Sequence, residues 1–351
     1  MPDLFIKRLN PGQGKELILY SKKDYDYKVF EGLPSVSGNQ THLRFHPTRF
    51  EWVGYSTTRQ NRTFLPDAHD CPLCPMSDNK EPSDIPVDQY EVAIFTNRFS
   101  SFQLSENKAP SLEIETNQAS GTCDVISYSA NHNDEFSKLS IERVELIIQA
   151  LSNRTRELYG NSKIKYILPF ENKGKEIGVT LDHPHGQIYS FGHIPEIIKK
   201  QAIVQQSNPL KKYLGNIPNE LILKKNSSAI SFVPRWARYP FEIWVVPSRR
   251  VSNIFELSDT EQHDLAELML EASKKLDGVF NSSMPYTLAW QLSPKGFEDS
   301  HHFHVCFQPI RRSKTKLKYL AGVEQITGFF LVDLPPERSA RILRGEEKPD
   351  E

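Results

Sequence analysis

The chain has little cysteine, almost no net charge and no long apolar run, and each shortage removes a class of protein. Four cysteines in 351 residues are too few for a disulfide scaffold. A net charge of -1 provides no overall field to attract nucleic acid or an anionic membrane surface, so neither is expected as a partner. Met1 to Tyr20 is interrupted by Asp3, Lys7, Arg8, Lys15 and Glu16, which does not read as a basic segment followed by an apolar leader. No apolar run approaches membrane length. With 38% hydrophobic and 25% charged residues the composition is that of an ordinary globular protein of one to three domains. The expectation is a soluble cytoplasmic protein.

What the chain does have is one dense pentapeptide, His183-Pro184-His185-Gly186-Gln187. In an extended segment its two histidines point to the same face. Gly186 lets another group approach the backbone closely, and Gln187 adds an amide donor. Before it come Phe170-Glu171-Asn172-Lys173-Gly174 and Gly178-Val179-Thr180, read as a turn-rich approach; after it Ile188-Tyr189-Ser190-Phe191 alternates like a strand. A histidine held this way can attack phosphorus and carry a nucleotidyl group. The plainer reading is a pair of packed or metal-binding histidines.

The chain also repeats itself. Strand patterns at Tyr90–Phe95 and Cys123–Tyr128 precede a helix predicted from Ser140 to Tyr159, with Ile141, Val144, Ile147, Ile148 and Leu151 on one stripe. A short strand, Lys165 to Pro169, leads into the paired histidines. The second half repeats this order: a strand at Phe241–Val246, a helix opening at Leu257-Ser258 and running to about Val279, a strand at Tyr286–Trp290, then His302-Phe303-His304. His302 lies 119 residues after His183, and Leu257 lies 118 after Leu139. A repeat this long implies two domain-sized units of antiparallel sheet plus helix, an α+β arrangement. The second copy lacks the glycine and glutamine, so one chemical site is expected per chain. Residues 1–40 read as a β-rich arm, with helices expected at Glu196–Gln206 and Pro209–Leu214.

Two further patterns carry chemistry. Cys71 and Cys74 form a CxxC, open to three readings: zinc ligands, a redox pair, or two buried thiols. No thioredoxin-like βαβ pattern surrounds them, and in a cytoplasmic chain the metal reading is preferred. Arg59 and Arg62 follow a predicted strand, Glu51–Ser56, and suit either phosphate binding or a solvated basic loop.

Taken together, the FENKG element, Gly178-Val179-Thr180, HPHGQ and the upstream CxxC resemble the galactose-1-phosphate uridylyltransferase family of the histidine-triad superfamily, from Arg44 to Glu324. The resemblance implies two tandem histidine-triad-like units. Residues 1–195 would carry the HPHGQ nucleophile and a zinc site, and residues 196–351 a hexose-binding segment. It implies exchange of a uridylyl group between UDP-glucose and galactose 1-phosphate, by ping-pong kinetics through His185. Gln187 would donate to the transferring phosphoryl group. Phe170, Asn172, Gly178 and Thr180 would contact the nucleotide sugar, with Thr180 where the family usually has Ser. Arg59, Arg62 and Asn97 would hold the nucleotide; Arg98 stands where the family has Asp. Lys318, Tyr319, Val323 and Glu324 would contact the hexose, with Val323 replacing a Tyr. The zinc ligands would be Cys71, Cys74, His132 and His183. A second, iron site of some members would use His302 and His304, but its other two positions are Gln201 and Gln291, so this site is expected to be absent. A homodimer is implied. Two alternatives stand beside this reading: a phosphorylase of the same superfamily acting on nucleoside-diphosphate sugars or dinucleotides, and a zinc-stabilised regulatory or nucleic-acid-binding protein that has lost catalysis.

Overall fold

The computed structural model describes residues 4–12, 15–31, 41–56, 66, 68–77, 83–104 and 108–350. Its strands are β1 (Phe5–Gly12), β2 (Lys15–Ser21), β3 (Thr41–His46), β4 (Glu51–Ser56), β5 (Val92–Thr96), β6 (Thr116–Gln118) and β7 (Gly121–Ser127). They continue with β8 (Tyr166–Lys173), β9 (His185–Phe191), β10 (Ile222–Lys225), β11 (Ala229–Phe232), β12 (Ile243–Pro247), β13 (Tyr286–Gln291) and β14 (His304–Pro309). The α-helices are α1 (Ile141–Gly160), α2 (Glu196–Gln205), α3 (Pro209–Leu214), α4 (Asp259–Val279), α5 (Gly322–Thr327) and α6 (Pro336–Leu343).

Eleven strands make one sheet in the order β1-β2-β5-β7-β9-β8-β13-β14-β12-β11-β10, and β4-β3-β6 form a separate three-stranded sheet. The large sheet is antiparallel, as the α+β reading expects. Near its middle β8 pairs with β13, and Phe170 faces Ala289. Those two residues are themselves related by the 119-residue offset that carries His185 onto His304. A local twofold therefore runs through the β8–β13 pair, relating β5-β7-β9-β8 to β11-β12-β14-β13. Its register is strict: Val125 faces Gln187 in one half, and Trp244 faces Cys306 in the other.

One sheet face is covered by α1 and α4, which pack on each other and share the main core. Both begin at a serine cap. The Ser140 side chain accepts from the Arg143 amide, and Ser258 forms a reciprocal capping box with Glu261. The predicted α1 stripe is buried at Val144, Ile147, Ile148 and Leu151, each such side chain contributing about 1.5–3 kcal/mol. The other face is covered differently in each half. In the first, Cys71, Leu73, Ile85 and Val87 from an irregular segment pack on Leu17, Phe95 and Val125. In the second, Leu210 and Tyr213 of α3 pack on Ile230, Phe232 and Val246.

Two local readings are corrected. Phe170 to Lys173 is not turn-rich but the end of β8. Those residues have ladder partners on β13, and Phe170 also on β9, so extended backbone is satisfied there. The turn begins at Gly174, with φ +102°, where an added Cβ would lie 2.8 Å from Pro285. His132, expected among the zinc ligands, sits beyond β7 in the turn closed by the Asp134 amide on Asn131. The N-terminal arm is partly an edge, β1, but β2 is an internal, buried strand.

Candidate active site and metal centre

The site lies on the sheet face away from α1 and α4, where β9 places His185 and Gln187. Alternation sends Gly186 and Ile188 to the helix side. There an added Cβ on Gly186 would lie 2.4 Å from the Tyr128 hydroxyl and 2.9 Å from the Phe170 carbonyl, so only glycine fits. The His185 Nδ1–H donates to the His183 carbonyl at 2.7 Å. This fixes the tautomer and leaves Nε2 with its lone pair. Burial also lowers the His185 pKa, which keeps the ring neutral.

Behind it, His183 is almost fully buried. Its Nε2–H donates to the Ser129 carbonyl at 2.7 Å, so Nδ1 offers a lone pair. That lone pair faces Cys71 Sγ at 3.7 Å and Cys74 Sγ at 3.4 Å, and His132 Nδ1 lies 3.5 Å from Cys74 Sγ. All four ligand atoms lie within 4.8 Å of one another. In a tetrahedral site with metal–sulfur bonds of about 2.3 Å and metal–nitrogen bonds of about 2.1 Å, ligands sit roughly 3.5–3.8 Å apart. Donor set, tautomer and spacing all fit such an ion. The Cys71 thiol is pulled well below the usual thiol range, first by hydrogen bonding with Cys74 and then by His183. Tyr90 supports the group from outside, its hydroxyl 3.2 Å from His183 Nε2 and 2.7 Å from the Leu73 carbonyl.

His185 stands between two cavities. One, of about 80 Å³, brings Asn97, Thr180, His185 and Gln187 together. The other, of about 160 Å³, places Asn172 beside His185 and His183. Phe170, paired with Gln187 across β8 and β9, packs its ring on Tyr189 at 5.2 Å. Gly178 ends a short turn with φ +79° and lines neither cavity.

The smaller cavity also holds residues that spacing could not reveal. Arg98 Nε lies 3.0 Å from Asp84 Oδ2, and Lys15 Nζ lies 3.7 Å from Asp84 Oδ1. Burial raises the Asp84 pKa, while Arg98 and Lys15 oppose it. Arg98 and Asp84 both line the cavity with His185, so the arginine that departs from the family pattern is held by a carboxylate from the segment carrying the CxxC. Its signal was its place next to Asn97; Asp84 had none.

Other expected site residues are elsewhere. Lys318 pairs with Glu324 at 3.1 Å, and both bond to Leu331. With exposed Tyr319 and Val323, they line neither cavity at His185. This segment instead lies against the second half, where Phe330 packs on Tyr239 and Arg238. Arg59 and Arg62 lie outside the described residues.

Comparisons with known proteins agree across the chain. The N-terminal domain of galactose-1-phosphate uridyl transferase matches residues 21–195, and the C-terminal domain matches residues 204–349. The galactose-1-phosphate uridylyltransferase of Thermotoga maritima is 32% identical over 87% of this chain and 98% of its own length. That of Rattus norvegicus is 27% identical over 86% of this chain and 87% of its own. A solved uridylyltransferase structure superposes with TM-score 0.77 at 26% identity, covering 87% of this chain and 98% of that one. An ADP-glucose phosphorylase from Arabidopsis thaliana shares the fold, with TM-score 0.66 at 21% identity and coverage of 87% and 98%.

Proposed function

Because the chain belongs to the galactose-1-phosphate uridylyltransferase family, we propose that it moves a uridylyl group from UDP-glucose to galactose 1-phosphate through a covalent intermediate at His185. The observation that carries this reading is the His185 Nδ1 bond to the His183 carbonyl, which presents a neutral nucleophile between two cavities lined by Gln187 and Asn172. In the first step Nε2 attacks the α-phosphorus of UDP-glucose. The phosphorus–nitrogen bond forms as the bond to the bridging oxygen breaks, and glucose 1-phosphate leaves. In the second step a phosphate oxygen of galactose 1-phosphate attacks the same phosphorus, releasing UDP-galactose and neutral His185. The Gln187 amide would donate to the phosphoryl oxygens, where charge spreads in each transition state. An amide does not relay a proton to water near neutral pH, and a phosphate nucleophile needs no base, so transfer is favoured over hydrolysis.

We assign zinc to Cys71, Cys74, His132 and His183. A zinc ion there would cross-link the segment carrying the CxxC to the strand carrying His185; its role is structural. Reduced thiolate ligands suit a cytoplasmic location. The division into tandem units, 1–195 and 196–351, places one half of the twofold in each. A homodimer suits the hexose-binding segment, whose exposed Tyr319, Ile326 and Phe329 stand away from this chain's own His185.

The test is incubation with UDP-glucose alone, followed by intact-mass measurement. A UMP adduct should accumulate and then decay fastest when galactose 1-phosphate is added. No adduct would overturn the covalent route. Fastest decay with inorganic phosphate would make the protein a phosphorylase.

A further inference from the structure

The C-terminal half carries its own cavity, of about 500 Å³, between the sheet and the α2–α3 pair. The 119-residue offset takes Val125, Asn172, His185 and Gln187 onto Trp244, Gln291, His304 and Cys306, and these four line it. It is the twofold mate of the His185 site, on the same face of the sheet.

Its chemistry differs from that of a core gap. Tyr213 and Trp236 meet edge to face at 4.6 Å, Trp236 and Trp244 at 5.5 Å, and Trp244 stacks on His304 at 4.4 Å. These rings form a continuous aromatic wall. Trp244 is pinned by its Nε1–H bond to Glu242. One polar atom in the wall has no partner, Nδ1 of His301. His301 is 5% exposed, and its Nε2–H already donates to the Gln291 carbonyl, so Nδ1 is an unused acceptor. Arg238 and Lys200 line the cavity, and among the described residues no carboxylate does. Flat rings and the positive charge of Lys200 and Arg238, the latter near Glu242 and over Phe330, suit an anionic ligand with a planar ring.

We propose that this cavity binds a nucleoside phosphate, the base against Trp236 and Trp244 and the phosphate at Arg238. The ligand class rests in part on uridylyl transfer at the twofold-related site. The second site binds without transferring, since Cys306 stands where Gln187 would hold the phosphoryl oxygens.

Calorimetric titration with UMP tests this on the full chain, on Trp236→Ala and on Arg238→Gln. The wild type should take two UMP per chain. Each variant should lose the second event or weaken it at least tenfold. Trp236 is 44% exposed, so its truncation opens no sealed core, and thermal unfolding checks that both variants fold. Uridine should bind the Arg238-dependent event at least tenfold more weakly than UMP. One UMP per chain in the wild type, a second event indifferent to both substitutions, or uridine binding as tightly as UMP would each overturn the proposal. The adduct from UDP-glucose reports on His185 separately. An adduct with a single UMP site sinks only the second site; variant-sensitive UMP binding without an adduct sinks only the transfer reading.

Discussion

The two paired-histidine motifs share a backbone and differ in almost everything around it. In both, the first ring donates Nε2–H to a carbonyl, Ser129 at 2.7 Å or Pro247 at 2.8 Å. In both, the second ring donates Nδ1–H to the carbonyl of the first, at 2.7 Å in His185 and 2.8 Å in His304. The strand geometry alone therefore produces a tautomer-locked imidazole twice. What separates them is long-range. Nδ1 of His183 faces two thiols, whereas Nδ1 of His302 is buried without a partner. His185 stands between two cavities, whereas His304 stacks on Trp244, and burial holds its pKa down at about 3. A His-x-His pair on a strand is a scaffold for chemistry, and the neighbouring segments decide whether chemistry happens.

The largest expected effect follows from removing the imidazole proposed to carry the uridylyl group. His185→Ala should lower transfer at least roughly 10^4-fold, as loss of a covalent nucleophile does, and should abolish the UMP adduct. Full adduct yield in that variant would mean that another side chain carries the group.

The first histidines should separate next. His183→Ala removes one of the four residues to which we assign zinc, so it should lose bound zinc and roughly 3–5 kcal/mol of stability, a scale set by losing one partner of a buried charged group. His302→Ala deletes one hydrogen bond, to the Pro247 carbonyl, and should cost about 1–3 kcal/mol without changing metal content. Elemental analysis and denaturant titration of both variants measure the gap. Equal costs with equal zinc would erase the distinction between the two motifs.

These differences were unevenly legible in the sequence. HPHGQ, the CxxC and the two serine-capped helices are local patterns, and pattern spacing reports local geometry. The Asp84–Arg98–Lys15 cluster joins three distant segments, so no spacing marks it. The Phe170–Lys173 strand was hidden because Gly174 and Gly178 mark a turn, while the ladder partners that hold these residues extended lie on β9 and β13. The Lys318–Glu324 segment was legible by motif but not in position, since motif says nothing of which half it packs against.

A smaller effect tests the close packing beside His185. Gly186 corresponds by the offset to Val305, and Tyr128 to Pro247. In the second copy a valine takes the glycine's place and a proline the tyrosine's. Gly186→Ala should cost about 1–3 kcal/mol, the usual range for overpacking, and should slow adduct formation. Adding Tyr128→Phe removes the hydroxyl 2.4 Å from the new Cβ and should restore part of both, less the contact with the Phe170 carbonyl. No recovery in the double variant would place the strain elsewhere.

The smallest effect is a dependence on pH at a position with no titratable counterpart in the second half. Glu171 sits at the position of Trp290, on the helix side of the sheet beside Tyr128. Burial raises its pKa from 4.5 to about 7, against the opposing pull of Lys173 and a Tyr128 hydrogen bond. The sign follows from proton counts. Between pH 4.5 and about 7 the unfolded carboxyl is ionised while the folded one keeps its proton. The folded state then binds more protons, and stability falls as pH rises, by at most about 1.4 kcal/mol per unit. Above that window both forms are ionised and the slope vanishes. Glu171→Gln keeps the shape and has no proton to lose, so its advantage over the wild type should grow by about 1 kcal/mol between about pH 6 and about pH 8. Denaturant titrations of both proteins at the two pH values measure this difference. A gap that stays constant would show that Glu171 is ionised throughout, with Lys173 outweighing burial.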